Sequence, residues 1–547
     1  MTRRKFITTA AKTAVVIAAT GAVPALSGCA PRHYDFDTVI TGGTIYDGTD
    51  AAPQVADIGI RKDRIATIGK ITGTTAKVID AKGLIVTPGF IDIHTHCDQT
   101  FNRLRMKRLL AHVMPSFKGN YNYLYQGVTT VVTGNCGYGY TNLEEWFDIH
   151  KSVNFGSNVY HLAPHGDIRL EVFGKNQPEK LSSKQLDALK EKIAMEMEKG
   201  AMGFSTRLDV PPGSLTHIEE LIEIGKVVRK YGGLYATHMR DESGTIDENG
   251  RFAGVKSIEE AINIGREAGI PVEISHLKIS APINNLKVSQ LLALIEAARK
   301  EGLDVTADQY PYESGSTDIG FLIPLKYMDA QGLKEEYRAG VKRGEVKKSI
   351  EATFVYNGPE KTRIVWYPGN EKYEGRSLKQ IASAMKKDPS DCLIDMACEE
   401  KMPLGIFFNQ DINVVREIMP HDYIFTTCDG WTIPKDKMKP HPRLYGAFPR
   451  KIKKFVFEEK IMDIKSAIRS MTSLPANKFH MKERGKIAEG YYADVTVMNL
   501  NAVADNATYD KPHQYSSGIE FLLVNGVLAI KNGKATGDRG GRPLKRA

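Results

Sequence analysis

The stretch from Ile85 to Asp98, IVTPGFIDIHTHCD, runs through two short apolar segments and ends on His94-Thr95-His96. On a strand, residues i and i+2 point to one side, so His94 and His96 project together from the strand end. Two neutral imidazoles converging at one point suit zinc and similar divalent ions. A His-x-His pair alone is more often two hydrogen-bonded histidines than a ligand pair, so the other strand ends decide. Those ends carry Cys136 in GNCG, His165 in PHGD, His238 in THMRDE, His276 and Lys278 in SHLK, Asp308 in ADQY and Asp429 in CDG. Each has a bland reading taken singly: Cys136 as a buried thiol, His238 as a turn cap, Asp429 as an N-cap or Asp-Gly turn residue. Gathered at one rim they describe hydrolysis. A divalent ion lowers the pKa of a water and polarises a carbonyl. A carboxylate beside that water, here Asp429, takes its proton and passes it to a leaving nitrogen. A Cys136 thiolate would neutralise metal charge and could bridge two ions.

The elements that must hold these residues alternate. Strands are predicted over 128–133, 158–164, 201–206, 233–238, 271–276 and 303–308, with another near 423–429. Amphipathic helices are predicted over 182–199, 218–231, 258–268 and 286–300. Short apolar strands alternating with longer amphipathic helices indicate parallel βα units, and a count approaching eight points to a (β/α)8 barrel of TIM type, with its chemistry at the C-terminal strand ends. The barrel is assigned to 89–481. Segments 34–88 and 482–542 share a different texture of short strands and tight turns, including Asn525-Gly526, and predict one small β-sandwich domain built from both termini. Residues 315–390 are charged and break the rhythm. They read as an insertion in a βα loop, placed over the barrel mouth.

The 547 residues are 42% hydrophobic and 25% charged, a folded composition, and the net charge of +9 is spread along the chain without a basic block, which argues against a nucleic-acid partner. Six cysteines without regular spacing exclude a disulfide framework. Residues 1–29 read as a leader: Arg3-Arg4 resembles a twin-arginine export signature, an apolar run follows, and Leu26-Ser27-Gly28-Cys29 resembles a lipobox that would leave Cys29 lipidated. The expectation is export to the periplasmic side of a bacterial cell, with membrane contact only through a lipid anchor on Cys29.

The blocks TPGFIDIHTHCD, GVTTVVTGNCG, GAMGFSTRLDVPPG, YGGLYATHMRDE, VEISHLK, VTADQYPY, CDG and PHPRLYGAFPR, with two more near the C-terminus, together resemble the amidohydrolase superfamily and, within it, the N-acyl-D-amino-acid deacylases. The resemblance implies one metal site from His94 and His96 with Asp429, and a second from Cys136, His238 and His276. It implies one tightly held zinc, leaves a second open, and makes Asp429 the general acid/base. Cys136 stands where many other amidohydrolases use a carbamylated lysine. Lys278, Tyr310 and Ser316 would hold the substrate carboxylate, a task suited to one ammonium and two hydroxyls. Arg207 stands where the resemblance leads one to expect glycine. Facing the pocket, it would favour an acidic side chain or acyl group; facing outward, it would pair with a surface carboxylate. His165 and His441 match family blocks without an assigned role, and His112 and His150 read as structural. The implied reaction is hydrolysis of an N-acyl-D-amino acid to a carboxylate and a free D-amino acid. A dipeptidase acting on L-Xaa-D-Xaa substrates and a non-catalytic binding module are the alternatives; the first needs a negative residue beside the acyl site, the second usually loses metal ligands.

Overall fold

The computed structural model describes residues 34–99, 114–281, 286–329, 332–433 and 438–546. The leader with Cys29, and His112, lie outside these residues.

Both ends of the chain enter one sheet. Five strands from Thr38–Ile45 to Ile85–Pro88 join four from Val495–Met498 to Lys534–Ala535 in a nine-stranded sheet, whose seam is the antiparallel pair of Ile85–Pro88 with Val495–Met498. Its apolar face buries Ile40, Ile58, Ile60, Val86, Val495, Val497 and Leu523. The alternation of β-branched residues with turn residues is what a half-buried sheet requires.

Between these ends run parallel strands: β1 Phe90–Asp92, β2 Val128–Thr133, β3 Asn158–His161 resuming at Ala163–Pro164, β4 Gly203–Arg207, β5 Leu234–His238, β6 Val272–Ile274, β7 Val305–Gln309 and β8 Ile424–Thr426. They pair in that order, in two sheets that meet across Leu162. A parallel bridge between Thr95 and Gly430, just past β1 and β8, closes the ring. Such strands are buried on both faces, and β2 shows it: VTTVVT is buried at every position. The helices pack outside. Ser183–Lys199 begins with a full capping box, Ser182 with Gln185, and ends at Gly200, whose φ of 109° continues no helix.

The observed helices start and stop within a few residues of expectation, except Ala253–Ala268, which begins five residues early. The insertion is larger than its charge pattern suggests. Its antiparallel sheet takes Gly315–Asp318, Thr362–Trp366 and Leu404–Phe407, and its core includes Leu393, Ile394, Met396 and Phe407. The expected limit at Ser390 falls beside Pro389, where helix Pro389–Ala397 begins. The later residues mix charges such as Asp395, Glu399, Glu400 and Lys401 with the apolar side chains of the insertion's own core, so charge alone does not mark where the insertion ends.

Lys451 is buried beside β8 and donates to Thr426 Oγ1 at 2.8 Å and Ser470 Oγ at 2.7 Å. Burial alone lowers its ammonium to about 7. A lysine depressed in the folded chain but near 10.4 when unfolded costs stability in full below pH 7, and the cost fades as pH rises toward 10. Lys451→Met should therefore raise the Tm at pH 7, with a gain that shrinks toward pH 10, as read by thermal melts across that range.

Candidate metal centre

The C-terminal ends of the ring strands converge on one cluster. His94 Nε2 lies 3.2 Å from Cys136 Sγ and 3.6 Å from Asp429 Oδ1, and His96 Nε2 lies 3.3 Å from the same Asp429 oxygen. Cys136 Sγ is 3.8 Å from both His238 Nδ1 and His276 Nε2. Two donors of one tetrahedral zinc, with bonds of about 2.0–2.3 Å, stand roughly 3.3–3.8 Å apart. The donors His94, His96 and Asp429 form one group whose ligand atoms all lie within 4.8 Å of one another, and His94, Cys136 and His276 another, with His94 common to both. Nitrogen, thiolate and carboxylate donors at these spacings fit zinc. Cys136, His276 and Asp429 have φ of 52°, 36° and 45°, a sparsely populated region for residues with a side chain, and such strain gathers at functional sites.

Three of the four metal-facing imidazoles present their other nitrogen to a carboxylate, while His96 Nδ1 lies 3.3 Å from Gln99 Nε2. His94 Nδ1 faces Asp308 Oδ2 at 3.2 Å, His238 Nε2 faces Asp209 Oδ2 at 3.3 Å, and His276 Nδ1 faces Glu242 Oε1 at 2.9 Å. That contact fixes the ring's orientation and tautomer. Glu242 also belongs to a third group with His238 and His276. Its oxygens are held by Lys278 at 2.7 Å, so it acts as a hydrogen-bond acceptor behind His276. The side chains of the cluster polarise one another. Burial pushes the Cys136 thiol up, but the charge of His94 and its contacts with His238 and His276 hold it well below the thiol range. Burial likewise opposes ionisation of Asp429, and the Arg443 guanidinium, 2.9 Å from Oδ2, together with His96 holds it below the carboxylate range.

The structure brings His94, His96, Cys136, His238, His276 and Asp429 together. The substrate-side expectations fare differently. Tyr310 is buried at the rim and its hydroxyl accepts from Gln410 Nε2 at 2.9 Å, which leaves its own proton to donate. The Lys278 ammonium donates to Glu242 and to the His276 carbonyl at 3.2 Å, and lies 2.8 Å from His276 Nδ1, whose own proton goes to Glu242. Ser316 departs from expectation: its hydroxyl donates to the Gly405 carbonyl at 2.9 Å inside the insertion's sheet, so that proton is spent. Arg207 turns inward, but not as an unmatched cation. Nε and Nη2 grip Asp209 at 2.8 and 3.2 Å, and Nη1 is 3.6 Å from Asp318. An acidic substrate group there would meet two carboxylates as well as the guanidinium.

His165 pairs with Glu220 at 2.8 Å, which also holds Arg169, and is structural. His441 accepts the Arg443 amide at Nδ1 and turns Nε2 to Ser314, 2.7 Å from its hydroxyl and 3.1 Å from its carbonyl. It is an acceptor on one side and a donor on the other, so it anchors the loop and is no base toward Ser314. His150 is buried against the Ser157 carbonyl and burial lowers it to about 4. Sequence reasoning missed Asp209, Glu242 and Arg443. All three lie in quoted blocks, RLDVPPG, HMRDE and PHPR, but only Glu242 shares its block with a ligand, His238, so sequence offered a signal for that residue alone.

This constellation on a ring of parallel strands defines a metal-dependent hydrolase of the amidohydrolase kind, and comparison with known proteins narrows it. The amidohydrolase family model matches residues 77–154 and 415–530. A D-aminoacylase of Alcaligenes xylosoxydans xylosoxydans is 31% identical over 536 residues, 93% of this chain and 98% of that protein. An N-acyl-D-glutamate deacylase of the same organism is 32% identical over 534 residues, 93% and 96% of the two chains. Among solved structures, an N-acyl-D-glutamate deacylase from Bordetella bronchiseptica, complexed with zinc and a phosphonate mimic of the tetrahedral intermediate, superposes with a TM-score of 0.77 at 29% identity, covering 93% and 99%. A D-aminoacylase structure superposes equally well at 31% identity, covering 93% and 100%. The chain belongs to the D-aminoacylases, within the amidohydrolase family.

Because His94 reaches both donor groups, His94→Ala should weaken metal uptake at both, whereas His96→Ala should weaken uptake only at the group with Asp429. Zinc equivalents retained during dialysis against graded chelator, measured by elemental analysis, check this.

Proposed function

We propose that the chain is a zinc-dependent deacylase that hydrolyses N-acyl-D-amino acids to a carboxylate and a free D-amino acid. The observation that carries this reading is the complete donor set, His94, His96, Cys136, His238, His276 and Asp429, in a chain related over nearly its whole length to D-aminoacylases. Two of the solved relatives are described with zinc or with a binuclear metal centre. Zinc held between these side chains supplies a Lewis acid for the amide carbonyl and an activated water.

The remaining work falls to the chain. Asp429 takes the proton of the attacking water. Arg443, 2.9 Å away, keeps the carboxylate anionic beforehand and makes the protonated form unstable afterwards, so the proton passes on to the leaving nitrogen. Among the described residues the Tyr310 hydroxyl is a donor available to the substrate carboxylate, with the Lys278 ammonium on the same side, 5.9 Å from the Tyr310 ring centroid. The dipeptidase reading needs a carboxylate for a substrate ammonium. Of the described acidic residues at the end of β4, Asp209 and Asp318 are both engaged with Arg207, so neither favours it. The complete ligand set speaks against a non-catalytic module.

We also propose export and lipid anchoring at Cys29. Support is the twin-arginine pattern and the Leu26-Ser27-Gly28-Cys29 sequence, and no described helix is long and apolar enough to cross a membrane. Cys29→Ala should move the protein from the membrane to the soluble fraction.

Turnover of N-acetyl-D- and N-acetyl-L-amino acids in parallel, with L-Xaa-D-Xaa dipeptides, tests the activity. Selective hydrolysis of the D-series is expected. Asp429→Asn should lower kcat by about 10²–10⁴, the usual worth of a general acid/base. Turnover of dipeptides alone, or of nothing by zinc-loaded protein, would overturn the reading.

A further inference from the structure

The charges at the end of β4 form a chain of contacts that the hydrolytic reading leaves unused. Asp209 lies two residues past β4 and its Oδ2 sits 3.3 Å from His238 Nε2, the nitrogen opposite the one facing Cys136. A bidentate ion pair with Arg207 holds that carboxylate, at 2.8 and 3.2 Å. Both side chains are largely buried, at 16% and 12% exposure, so the pair is not a screened surface contact. On its far side Arg207 donates to Thr317 Oγ1 at 3.3 Å and lies 3.6 Å from Asp318. Those two residues begin the insertion that follows β7. One line of contacts thus runs from the insertion through Arg207 and Asp209 to His238.

We propose that Asp209 is a positioning residue for His238 and that Arg207 fixes Asp209, tying one metal-facing imidazole to the inserted subdomain. The inference deepens the metal-dependent reading and rests on it for the ion. A carboxylate behind an imidazole selects the tautomer whose free lone pair points at the metal and raises the basicity of that nitrogen, and losing such a partner typically costs about 10–100-fold in metal affinity. Glu242 Oε2 lies 3.8 Å from His238 Nε2, beyond hydrogen-bond length, and its charge is engaged with Lys278, so it does not replace Asp209. An arginine suits the task because its planar fork meets both carboxylate oxygens at once, which a lysine does not do.

The test reads metal binding, not turnover. Zinc-loaded full-length protein, Asp209→Ala, Asp209→Asn and Arg207→Gly are dialysed against graded chelator, and the retained zinc is counted. In parallel the ion is exchanged for cobalt, whose thiolate charge-transfer band reports an ion bound to cysteine; its loss in Cys136→Ser assigns the band. Asp209→Ala is expected to lower affinity for the cysteine-bound ion by about 10–100-fold. Asp209→Asn should fall between it and the parent, because the amide oxygen still accepts a hydrogen bond. Arg207→Gly should weaken binding in the same direction, while any ion at His94, His96 and Asp429 is held as before. Unchanged cobalt affinity in Asp209→Ala, or equal loss of all bound metal, would overturn the inference. Parent protein that holds the cysteine-bound ion yet hydrolyses no N-acyl-D-amino acid would sink the deacylase reading and leave this inference standing.

Discussion

The seam between β1 and β8 is the contact on which the site depends. Thr427 donates to Asp92 Oδ1 at 2.6 Å across 335 positions of sequence, and the Cys428 amide donates to Asp92 Oδ2 at 3.0 Å. The backbone continues the seam, with Asp429 N donating to the His94 carbonyl at 3.1 Å and His96 N to the Gly430 carbonyl at 2.7 Å. Asp92 is wholly buried, and burial raises it to about 6 against the pull of its hydrogen bonds. That carboxylate is tolerated because three donors from both sides of the seam converge on it. With the seam closed, His94, His96 and Asp429 face one another. With it open, the ligands would belong to opposite ends of the chain.

How much of this was legible follows from the range of each interaction. His94 and His96 share a strand end through a local rule of geometry, and Cys136, His238, His276 and Asp429 each follow a recognisable strand. The alternation of strands and helices is local as well, so the order of elements could be read. The ring closure could not, because a bridge between Thr95 and Gly430 has no sequence signature. The same holds for the partners. Asp209 was visible as a letter, but its meaning comes from His238 on the neighbouring strand and Arg207 two residues before it. Ser316 shows the reverse error. A hydroxyl near a substrate-binding block was read as available, whereas strand pairing with Leu404–Phe407 had already taken its proton.

The electrostatics follow one pattern. Asp429 stands against Arg443, Glu242 against Lys278 and Asp209 against Arg207. A buried charge is costly unless it is paired, and breaking such a pair leaves the survivor stranded. Among the described residues none of these three cations is therefore spare, and a substrate carboxylate that approaches them must meet a neutral donor such as Tyr310 or compete with a protein carboxylate for its cation. The second course costs more, because the displaced carboxylate is itself buried. Glu242 illustrates this: burial opposes its ionisation, yet Lys278 with His276 and His238 holds it at about 2.

The insertion takes part in that balance through its first strand. The Ser316 carbonyl accepts from Arg443 Nη2 at 3.3 Å, and the next residue, Thr317, accepts from Arg207. Arg443 belongs to the β8 side of the ring and Arg207 to β4, so the strand Gly315–Asp318 spans the gap between two cations that serve opposite sides of the metal cluster. Neighbouring residues of a strand face opposite ways, which lets one short segment touch both. The insertion therefore does not lie beside the site as a separate unit. Its sheet supplies acceptors to the two guanidinium groups that hold Asp429 and Asp209, so a displacement of Gly315–Asp318 would alter the surroundings of both carboxylates together.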